Sequence, residues 1–344
     1  MRLEKLGEFG LIERIRKTTP KGHGVRIGIG DDAAWLDCRS PTFLLTADLL
    51  IEGIHFKLEW STFYSLGYKT LAVNLSDIAA MGGTPAYLTL SLGIPSDFTT
   101  KDIDEFYRGV RFLADLSGVS LVGGDTSAAK CFFISASLIG HCPYAPVLRS
   151  GAKPGDDLYV TGTLGDSALG LERMKKKKRQ DRRGAAAYLI RRHQFPNARL
   201  RAGRLLACER LARAMIDVSD GLLQDLSHLC KASAVGAEIW ENVLPLSPAY
   251  KMLAGKKRST YALAGGEDYE LLFSVRPRDK SRLEKIKRRL GVPITRIGKC
   301  LRAGEGVKVV DGRGGAVSLS LRGYDHFKAN TDPQVIPDRA KIAR

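Results

Sequence analysis

The chain has 344 residues, 44% of them hydrophobic, and its 54 Lys and Arg against 37 Asp and Glu give a formal net charge of +17. Since a domain typically has roughly 100 to 200 residues, this length predicts two domains with sizeable cores. No apolar stretch reaches the roughly 18 residues that cross a membrane, and residues 1 to 30 carry charges throughout, which predicts a cytoplasmic protein without a membrane partner. Six cysteines without a CxxC pair or zinc spacing predict free thiols.

In chain order, hydrophobic periodicity predicts alternating helices and strands. Helices are expected over residues 7–18, 65–81 and 102–117, from about 166, and over 279–290, and strands over 25–29, 43–48, 86–94, 119–122, 131–140, 157–161, 237–241, 269–275 and 294–298. A further strand-to-helix unit is expected around IDVSDGLLQDLSHLCKAS. The loop 141–149, which contains two prolines, predicts a boundary between a first domain of residues 1–145 and a second of residues 146–328, followed by a loose tail over 329–344.

Seven aspartates stand beside Gly or Ser or in short apolar contexts, although the chain as a whole is basic. They are Asp31 and Asp32 in GIGDD, Asp48 in LLTADLL, Asp77 in NLSD, Asp125 in VGGDT, and Asp217 and Asp220 in IDVSDG. None has a Lys or Arg within three positions, and four segments carry an apolar run into the acidic residue, which predicts carboxylates at strand ends. Any single one could equally cap a helix or occupy a turn. Gathered in one cleft they would repel, and divalent metals relieve that repulsion, so the set predicts a site for several Mg²⁺ ions and phosphate.

Two common nucleotide-binding patterns do not fit this chain. Residues 28–33 formally match GxGxxA, but the positions that would line a pyrophosphate are Asp31 and Asp32, whose charges would repel it. No GxxxxGK[ST] segment occurs, so metals would have to replace the cation of a P-loop lysine. The basic run over 173–183 is interpreted as a solvated helix end rather than a nucleic-acid patch, because no aromatic residue interleaves it.

The order of the remaining segments resembles one enzyme family. These segments are GEFGLI, GIGDDAA, TAD, GIHF, NLSDIAAMGGTP, GGDT, RSGAKPGD, VTGTLGDSALG, IDVSDGL, GGEDYELLF and RGYDHF. Together they resemble the thiamine-monophosphate kinases, whose superfamily includes aminoimidazole ribonucleotide synthetase and selenophosphate synthetase. The resemblance implies two α/β domains of the aminoimidazole ribonucleotide synthetase-like fold, a homodimer that pairs its N-terminal domains into a barrel, and ATP-dependent phosphorylation of thiamine monophosphate to thiamine diphosphate.

The resemblance also implies roles for individual residues. The metal ligands of the family fall on Asp32, Thr46, Asp48, Asp77, Asp125, Asp217 and Asp220. Its ATP-binding positions fall on Gly124, Asp125, Arg149 and Ser219, and its thiamine monophosphate positions on His55, Glu267 and Tyr324. One departure is Ala47, where many relatives have a hydroxyl residue, so one metal would take water or a backbone oxygen instead.

The chemistry of the acceptor sets the expected mechanism. A phosphate monoester is already anionic near neutral pH, so no general base is required, and the main obstacle is repulsion between two anions. Two unit charges about 4 Å apart repel by roughly 4 kcal/mol at an effective dielectric of 20. Metals held by the catalytic set Asp32, Asp48, Asp125, Asp217 and Asp220 would allow direct in-line transfer. Alternatives are a selenophosphate or aminoimidazole ribonucleotide synthetase activity, or a non-catalytic anion-binding protein that uses the net charge.

Overall fold

Two six-stranded sheets, each covered by helices, make up the computed structural model, which describes residues 25–27, 31, 34–37, 42–176, 183–255 and 258–315. The prediction of two α/β domains is confirmed. No helix among these residues combines the length and apolar character that crossing a bilayer requires. The five described cysteines, at 131, 142, 208, 230 and 300, are free thiols.

The first sheet is mostly antiparallel. Its strands are β1 (Val25–Ile27), β2 (Ala34–Asp37), β3 (Thr42–Ile51), β4 (Thr84–Ile94), β5 (Ser120–Ala128) and β6 (Phe133–Cys142). The spatial order is β1-β2-β3-β6-β4-β5, and only the β4–β5 pair is parallel. The sheet is covered on one face by helices α1 (Phe63–Ala80) and α2 (Thr100–Ser117), while the opposite face carries exposed apolar side chains.

Helix α1 is the central element of this half. Thr62 caps it, since its hydroxyl accepts the Ser65 backbone N–H at 3.1 Å and the Ser65 hydroxyl accepts the Thr62 N–H at 3.0 Å. The chain leaves the helix through Gly82, whose φ of +73° favours glycine. Almost every side chain of α1 is buried, including polar ones, which is unusual for a helix on a protein surface.

The second sheet is built from strands that come later in the chain. They are β7 (Asp157–Thr161), β8 (Ala214–Asp217), β9 (Val235–Trp240), β10 (Leu271–Val275), β11 (Ile294–Arg302) and β12 (Val307–Val310). The spatial order is β12-β9-β11-β7-β10-β8, antiparallel except for β12 against β9. The helices are α3 (Asp166–Lys176), α4 (Gly184–Gln194), α5 (Leu200–Cys208), α6 (Leu222–Ser233), α7 (Pro248–Leu253), α8 (Arg258–Ala264) and α9 (Lys280–Ile286).

The two halves share a packed interface, and α1 lies at its centre. Ala79 and Ala80 at the end of α1 belong to the same buried cluster as Leu206 of α5 and Met215 of β8. The contact is so close that a Cβ on Gly203 of α5 would lie 2.0 Å from the Ala79 carbonyl oxygen. Polar residues on α1 are therefore held against the second half of the chain.

Several predicted elements differ from the observed ones. The expectation that carboxylates end their strands is wrong for Asp48 and Asp125, because β3 and β5 continue past them; after Asp48, the segment Leu-Leu-Ile keeps the strand pattern. It is correct for Asp217, the last residue of β8. Four helices (α4, α5, α7 and α8) and strands β2 and β12 were not predicted. The predicted helix over residues 7–18 and the tail over 329–344 lie outside the described residues.

Candidate active site between the two domains

The first group of acidic side chains comes from β3 and α1. Thr46 is buried, and its hydroxyl donates a hydrogen bond to the Asp77 carboxylate of α1. Asp48 is two residues further along β3, and side chains two apart in a strand point to the same face. Burial raises the pKa of Asp48 to about 6. Two carboxylates and one hydroxyl oxygen are thus presented from the N-terminal half.

The second group comes from the turn between β8 and α6. The buried Asp217 carboxylate accepts a 2.7 Å hydrogen bond from the hydroxyl of Ser76, which belongs to α1 in the other domain. Asp220 follows in the turn, and its backbone N–H donates to Asp225 at 3.1 Å, as does the N–H of Gly221. Asp225 therefore fixes the turn that carries Asp220, and Ser76 ties this group to the first one.

A buried phenol marks the place where the two groups meet. Burial raises the pKa of Tyr269 well above 10, and the negative charges of Glu267, Asp48, Asp217 and Asp220 raise it further. Charges act on a group in this way only when they lie near it. Carboxylates from both halves of the chain therefore lie near Tyr269, and among them are the predicted site residues Asp48, Asp217 and Asp220.

Arg149 lies at the edge of this acidic group. Its backbone N–H is 3.4 Å from both carboxylate oxygens of Asp31, and its Nε is 3.9 Å from Oδ1 of the same residue. The Arg149 carbonyl accepts a 2.8 Å hydrogen bond from the Ser233 hydroxyl. Its charge opposes the increase in pKa that burial gives Asp225. A cation is thus present beside the turn of Asp217 and Asp220.

Glu267 lies opposite, in the GGED turn before β10. Its side chain is held by Lys69 of α1, with Nζ 2.6 Å from Oε1, and by His193 of α4, with Nδ1 3.2 Å from Oε2. Its backbone N–H donates to the Ser219 carbonyl at 2.7 Å, which joins two predicted ligand-binding turns. His55 lies close enough for its charge to lower the pKa of Glu267. The predicted thiamine monophosphate residues His55 and Glu267 are therefore within electrostatic reach of each other.

The remaining predicted residues are not all joined to this group. Gly124 and Asp125 lie on β5, an exposed edge strand, where Asp125 accepts the Thr126 N–H at 2.8 Å. Over the residues that the structure describes, no hydrogen bond or ion pair links Asp125 to the other predicted ligands. Asp32 and Tyr324 lie outside the described residues.

A second acidic network lies beneath the site and was missed from sequence. Glu270 is fully buried between two guanidinium groups, with Arg192 at 2.8 Å and Arg199 Nε at 2.6 Å. Asp268 accepts the backbone N–H groups of Gly165 and Ser167, and burial raises its pKa to about 8. These side chains alternate with Glu267 and Tyr269 in GGEDYE, so the network holds the turn that presents the site residues before β10 begins at Leu271. In the sequence, the available signal was three acidic residues within four positions, directly before the apolar run that begins at Leu271.

The oxygen donors at these positions bear on metal binding. Among the described residues, no three His, Cys, Asp or Glu side chains are arranged to hold one ion. The Thr46–Asp77 and Asp217–Asp220 groups nevertheless offer oxygen donors in pairs, and Mg²⁺ usually binds through one or two carboxylates, with waters and substrate phosphates completing its shell. The donor chemistry therefore fits Mg²⁺ shared with a phosphate-bearing ligand.

Comparison with known proteins agrees with the two-domain fold. Residues 30–142 match the model of the AIR synthase related protein N-terminal domain, and residues 153–311 match that of the C-terminal domain. The chain is 40% identical over 326 residues to the thiamine-monophosphate kinase of Escherichia coli. The alignment covers 93% of this chain and 98% of the relative. It is 37% identical over 327 residues to the Bacillus subtilis enzyme of the same name, covering 94% and 100%.

Solved structures give the same result. A structure described as AaThiL complexed with AMPPCP and TMP aligns with a TM-score of 0.83 and 37% identity, covering 95% of this chain and 99% of that one. The thiamine-monophosphate kinase of Stenotrophomonas maltophilia aligns with a TM-score of 0.74 and 38% identity, covering 90% and 98%. The fold and the sequence identity over nearly the full length agree, and the chain belongs to the thiamine-monophosphate kinase family of AIR synthase related proteins.

Proposed function

We propose that this protein transfers the γ-phosphoryl group of ATP to thiamine monophosphate, giving thiamine diphosphate and ADP. The observation that carries the proposal is the meeting of carboxylates from both domains around Tyr269, in a chain 40% identical to a thiamine-monophosphate kinase over nearly its whole length. Two anionic substrates can meet in such an acidic site only if cations neutralise it. We also propose a cytoplasmic location, because the relatives in Escherichia coli and Bacillus subtilis are bacterial thiamine-monophosphate kinases.

Mg²⁺ is the proposed resident cation. Its proposed ligands are Asp32, Thr46, Asp48, Asp77, Asp125, Asp217 and Asp220. When bound, Mg²⁺ would supply positive charge that offsets the repulsion between the two anionic substrates and stabilises the charge on the transferring group. The protein's own part is positional: Thr46 orients Asp77, Ser76 orients Asp217, and Asp225 holds the turn that carries Asp220.

The two substrates are proposed to enter from different sides of the acidic group. ATP would contact Gly124, Asp125, Arg149 and Ser219, and thiamine monophosphate would contact His55, Glu267 and Tyr324. The hydrogen bond from Glu267 to the Ser219 carbonyl supports this assignment, since it puts the proposed ATP turn beside the proposed acceptor turn. Arg149 would act as a fixed cation beside the triphosphate.

The transfer is proposed to be direct and in line. The acceptor monoester is already anionic, so the site needs no general base, and no aspartate acts as a nucleophile. A rapid-quench experiment with γ-labelled ATP is expected to yield labelled thiamine diphosphate and no labelled protein. Acid-stable or base-labile label on the protein during turnover would contradict direct transfer.

An assay with substitutions tests the activity itself. Purified protein with ATP, Mg²⁺ and thiamine monophosphate is expected to form thiamine diphosphate, and Asp32→Asn, Asp125→Asn and Asp217→Asn are each expected to lower kcat by about 100-fold or more, because each removes a charge that would hold a cation at the phosphates. Asp115→Asn, on the exposed face of α2, is the matched control and should keep full activity. Turnover of selenide or of an aminoimidazole ribonucleotide precursor instead would support the superfamily alternatives. Salt-dependent oligonucleotide binding without turnover would support an anion-binding protein.

We also propose that the protein is a homodimer that pairs through the first sheet. The open face of that sheet carries Leu45 of β3, Ile139 of β6 and Tyr87 of β4, which lie side by side in register and are 37%, 38% and 50% exposed. Val122 on β5 is 57% exposed nearby. A row of large apolar side chains across a sheet face is typical of an association surface.

The domain division is proposed at residues 145 and 146, with a tail from 329. The two sheets support it, since the strands of the first end at Cys142 and those of the second begin at Asp157. The two family models also support it, since one ends at residue 142 and the other begins at residue 153.

A further inference from the structure

Glu267 is held by partners from both domains, and neither partner belongs to the predicted site. Lys69 comes from α1 and is 6% exposed, and His193 comes from α4 and is also 6% exposed. Each takes one carboxylate oxygen of Glu267, at 2.6 Å and 3.2 Å respectively. About 30% of the Glu267 side chain remains accessible.

The partners determine the charge of Glu267. Burial alone would raise its pKa, but the charge and hydrogen bond of Lys69, together with His193 and His55, hold the pKa below its usual range. Burial, helped by the Lys69 charge, lowers the pKa of His193 to about 3, so the imidazole is neutral near pH 7. His193 Nδ1 lies 3.0 Å from the Ser167 hydroxyl as well as 3.2 Å from Glu267 Oε2, and because an ionised carboxylate only accepts hydrogen bonds, a proton on Nδ1 suits both contacts.

The backbone of Glu267 is constrained as well. Its φ of +67° is costly for a residue with a side chain, and Tyr269 two positions on has a φ of +52°. Two backbone hydrogen bonds hold the strained turn. The Glu267 N–H donates to the Ser219 carbonyl at 2.7 Å, and the Tyr269 N–H donates to the Val218 carbonyl at 2.9 Å. Backbone strain of this kind is common at sites where a side chain must keep one orientation.

We propose that Lys69 and His193 are positioning residues that hold Glu267 ionised and in one orientation toward thiamine monophosphate, so that the acceptor site is complete only when the two domains are in contact. The inference rests on the proposed role of Glu267 in acceptor binding. A fixed carboxylate suits this acceptor because the thiazolium ring of thiamine monophosphate is cationic. Lys69 itself is nearly inaccessible, so it acts through Glu267 rather than on the substrate.

The test is a double-substitution cycle read by steady-state kinetics. Lys69→Met removes the charge but keeps the stem, and Glu267→Gln removes the carboxylate charge but keeps the shape. Each is expected to raise KM for thiamine monophosphate about tenfold, which corresponds to roughly 1.4 kcal/mol, while KM for ATP changes less than about threefold. In the Glu267→Gln background, Lys69→Met is expected to change KM for thiamine monophosphate by less than about twofold, because its only route to the substrate is already removed.

Two further variants keep the test decisive if Lys69→Met fails to fold. The double variant Lys69→Met/Glu267→Gln buries no unpaired charge and should fold. His193→Leu should raise the same KM as Lys69→Met, whereas His193→Asn, which keeps a donor, should restore most of it. Lys299→Met, which breaks a partly exposed pair with Glu238 at 3.3 Å, is the matched control and should leave both KM values unchanged.

The outcomes distinguish the role of Glu267 in binding the acceptor from the positioning role of Lys69 and His193. If Glu267→Gln leaves KM for thiamine monophosphate unchanged, the assigned role of Glu267 is wrong and the positioning role fails with it. If Glu267→Gln raises that KM but Lys69→Met does not, or if the two effects multiply, only the positioning role is overturned. Equal losses for both substrates in Lys69→Met would show that Lys69 only supports the fold.

Discussion

At the scale of single residues, Ser76 of the first domain orients Asp217, a proposed metal ligand of the second domain. It donates at 2.7 Å to Asp217 from a buried position on α1. Partners of metal ligands typically change metal affinity by roughly 10- to 100-fold. Ser76→Ala is therefore expected to raise the Mg²⁺ concentration for half-maximal activity by about tenfold or more.

The control for this prediction is another helix hydroxyl. Ser227 donates at 2.7 Å to the Leu223 carbonyl of its own helix and is exposed. Ser227→Ala should give the wild-type Mg²⁺ dependence. An unchanged Mg²⁺ dependence in Ser76→Ala would mean that Asp217 is oriented without help from α1.

His193 gives a prediction about pH and stability. Burial lowers its pKa to about 3, against about 6.5 when unfolded, so below about pH 6.5 the unfolded chain binds a proton that the folded protein excludes. The stability from neutral His193 is therefore full above pH 6.5 and falls as the pH decreases toward 3. At pH 5 the loss is up to about 2 kcal/mol.

The measurement is the urea midpoint of wild type and His193→Asn at pH 7.5 and pH 5. The wild type is expected to lose more stability over this interval than the variant, because Asn carries no titrating group. Equal losses in the two proteins would show that His193 is protonated in the folded state at pH 5.

The acidic residues and their partners differ in how far sequence could identify them. Asp48, Asp217 and Asp220 could be selected because each stands in an apolar segment without a nearby cation. Lys69, His193 and Tyr269 could not, because each acquires its role from side chains far away in the chain. Lys69 and Glu267 are 198 positions apart by their residue numbers, and nothing local in LGYKTLA marks the lysine.

At the scale of elements, the crossing of α1 and α2 depends on two glycines. A Cβ on Gly67 would lie 1.9 Å from the Phe106 carbonyl oxygen, and one on Gly109 would lie 2.0 Å from that of Tyr64. An added methyl must therefore push the helices apart, and overpacking of this kind costs about 1 to 3 kcal/mol. Gly109→Ala is expected to lower the thermal midpoint and, because α1 carries Lys69, Ser76 and Asp77, to lower activity as well.

Gly304→Ala is the matched control, since a Cβ at Gly304 meets nothing within 4 Å. Its midpoint and activity should match wild type. If Gly109→Ala keeps the wild-type midpoint, the helices can separate at little cost and the close crossing is not a source of stability.

Elements with a clear period were predictable, and those that depend on distant contacts were not. Helices α1 and α2 follow from their patterns and from the glycines that end them. Helices α4 and α5 were missed because the nearby basic run and Pro196 hide the periodicity of their apolar residues. Those residues pack against other elements of the fold. The strand β5 was predicted too short, since GGDT has a turn composition but pairs along its whole length with β4.

At the scale of the whole molecule, the open face of the first sheet predicts the assembly. Leu45, Ile139 and Tyr87 form one apolar row across three strands, and a second copy is the partner that we propose for it. Tyr87 is half exposed in the single chain, so a charge there costs little folding stability but would be buried in the dimer. Tyr87→Asp is therefore expected to shift the protein from dimer to monomer. Its thermal midpoint should fall only by the amount that loss of the dimer causes.

Light scattering after size-exclusion chromatography, over a range of protein concentrations, is the measurement. Met252→Asp is the control: Met252 is 75% exposed on α7 of the other domain, so the same charge at an exposed apolar site should leave the dimer intact. A wild-type protein that elutes as a monomer at all concentrations would contradict the proposed assembly. A Tyr87→Asp protein that stays dimeric would instead place the interface on another surface. The reason is that a symmetric dimer through this face would bury the introduced carboxylate of both copies, and two nearby buried carboxylates cannot both stay ionised at low cost.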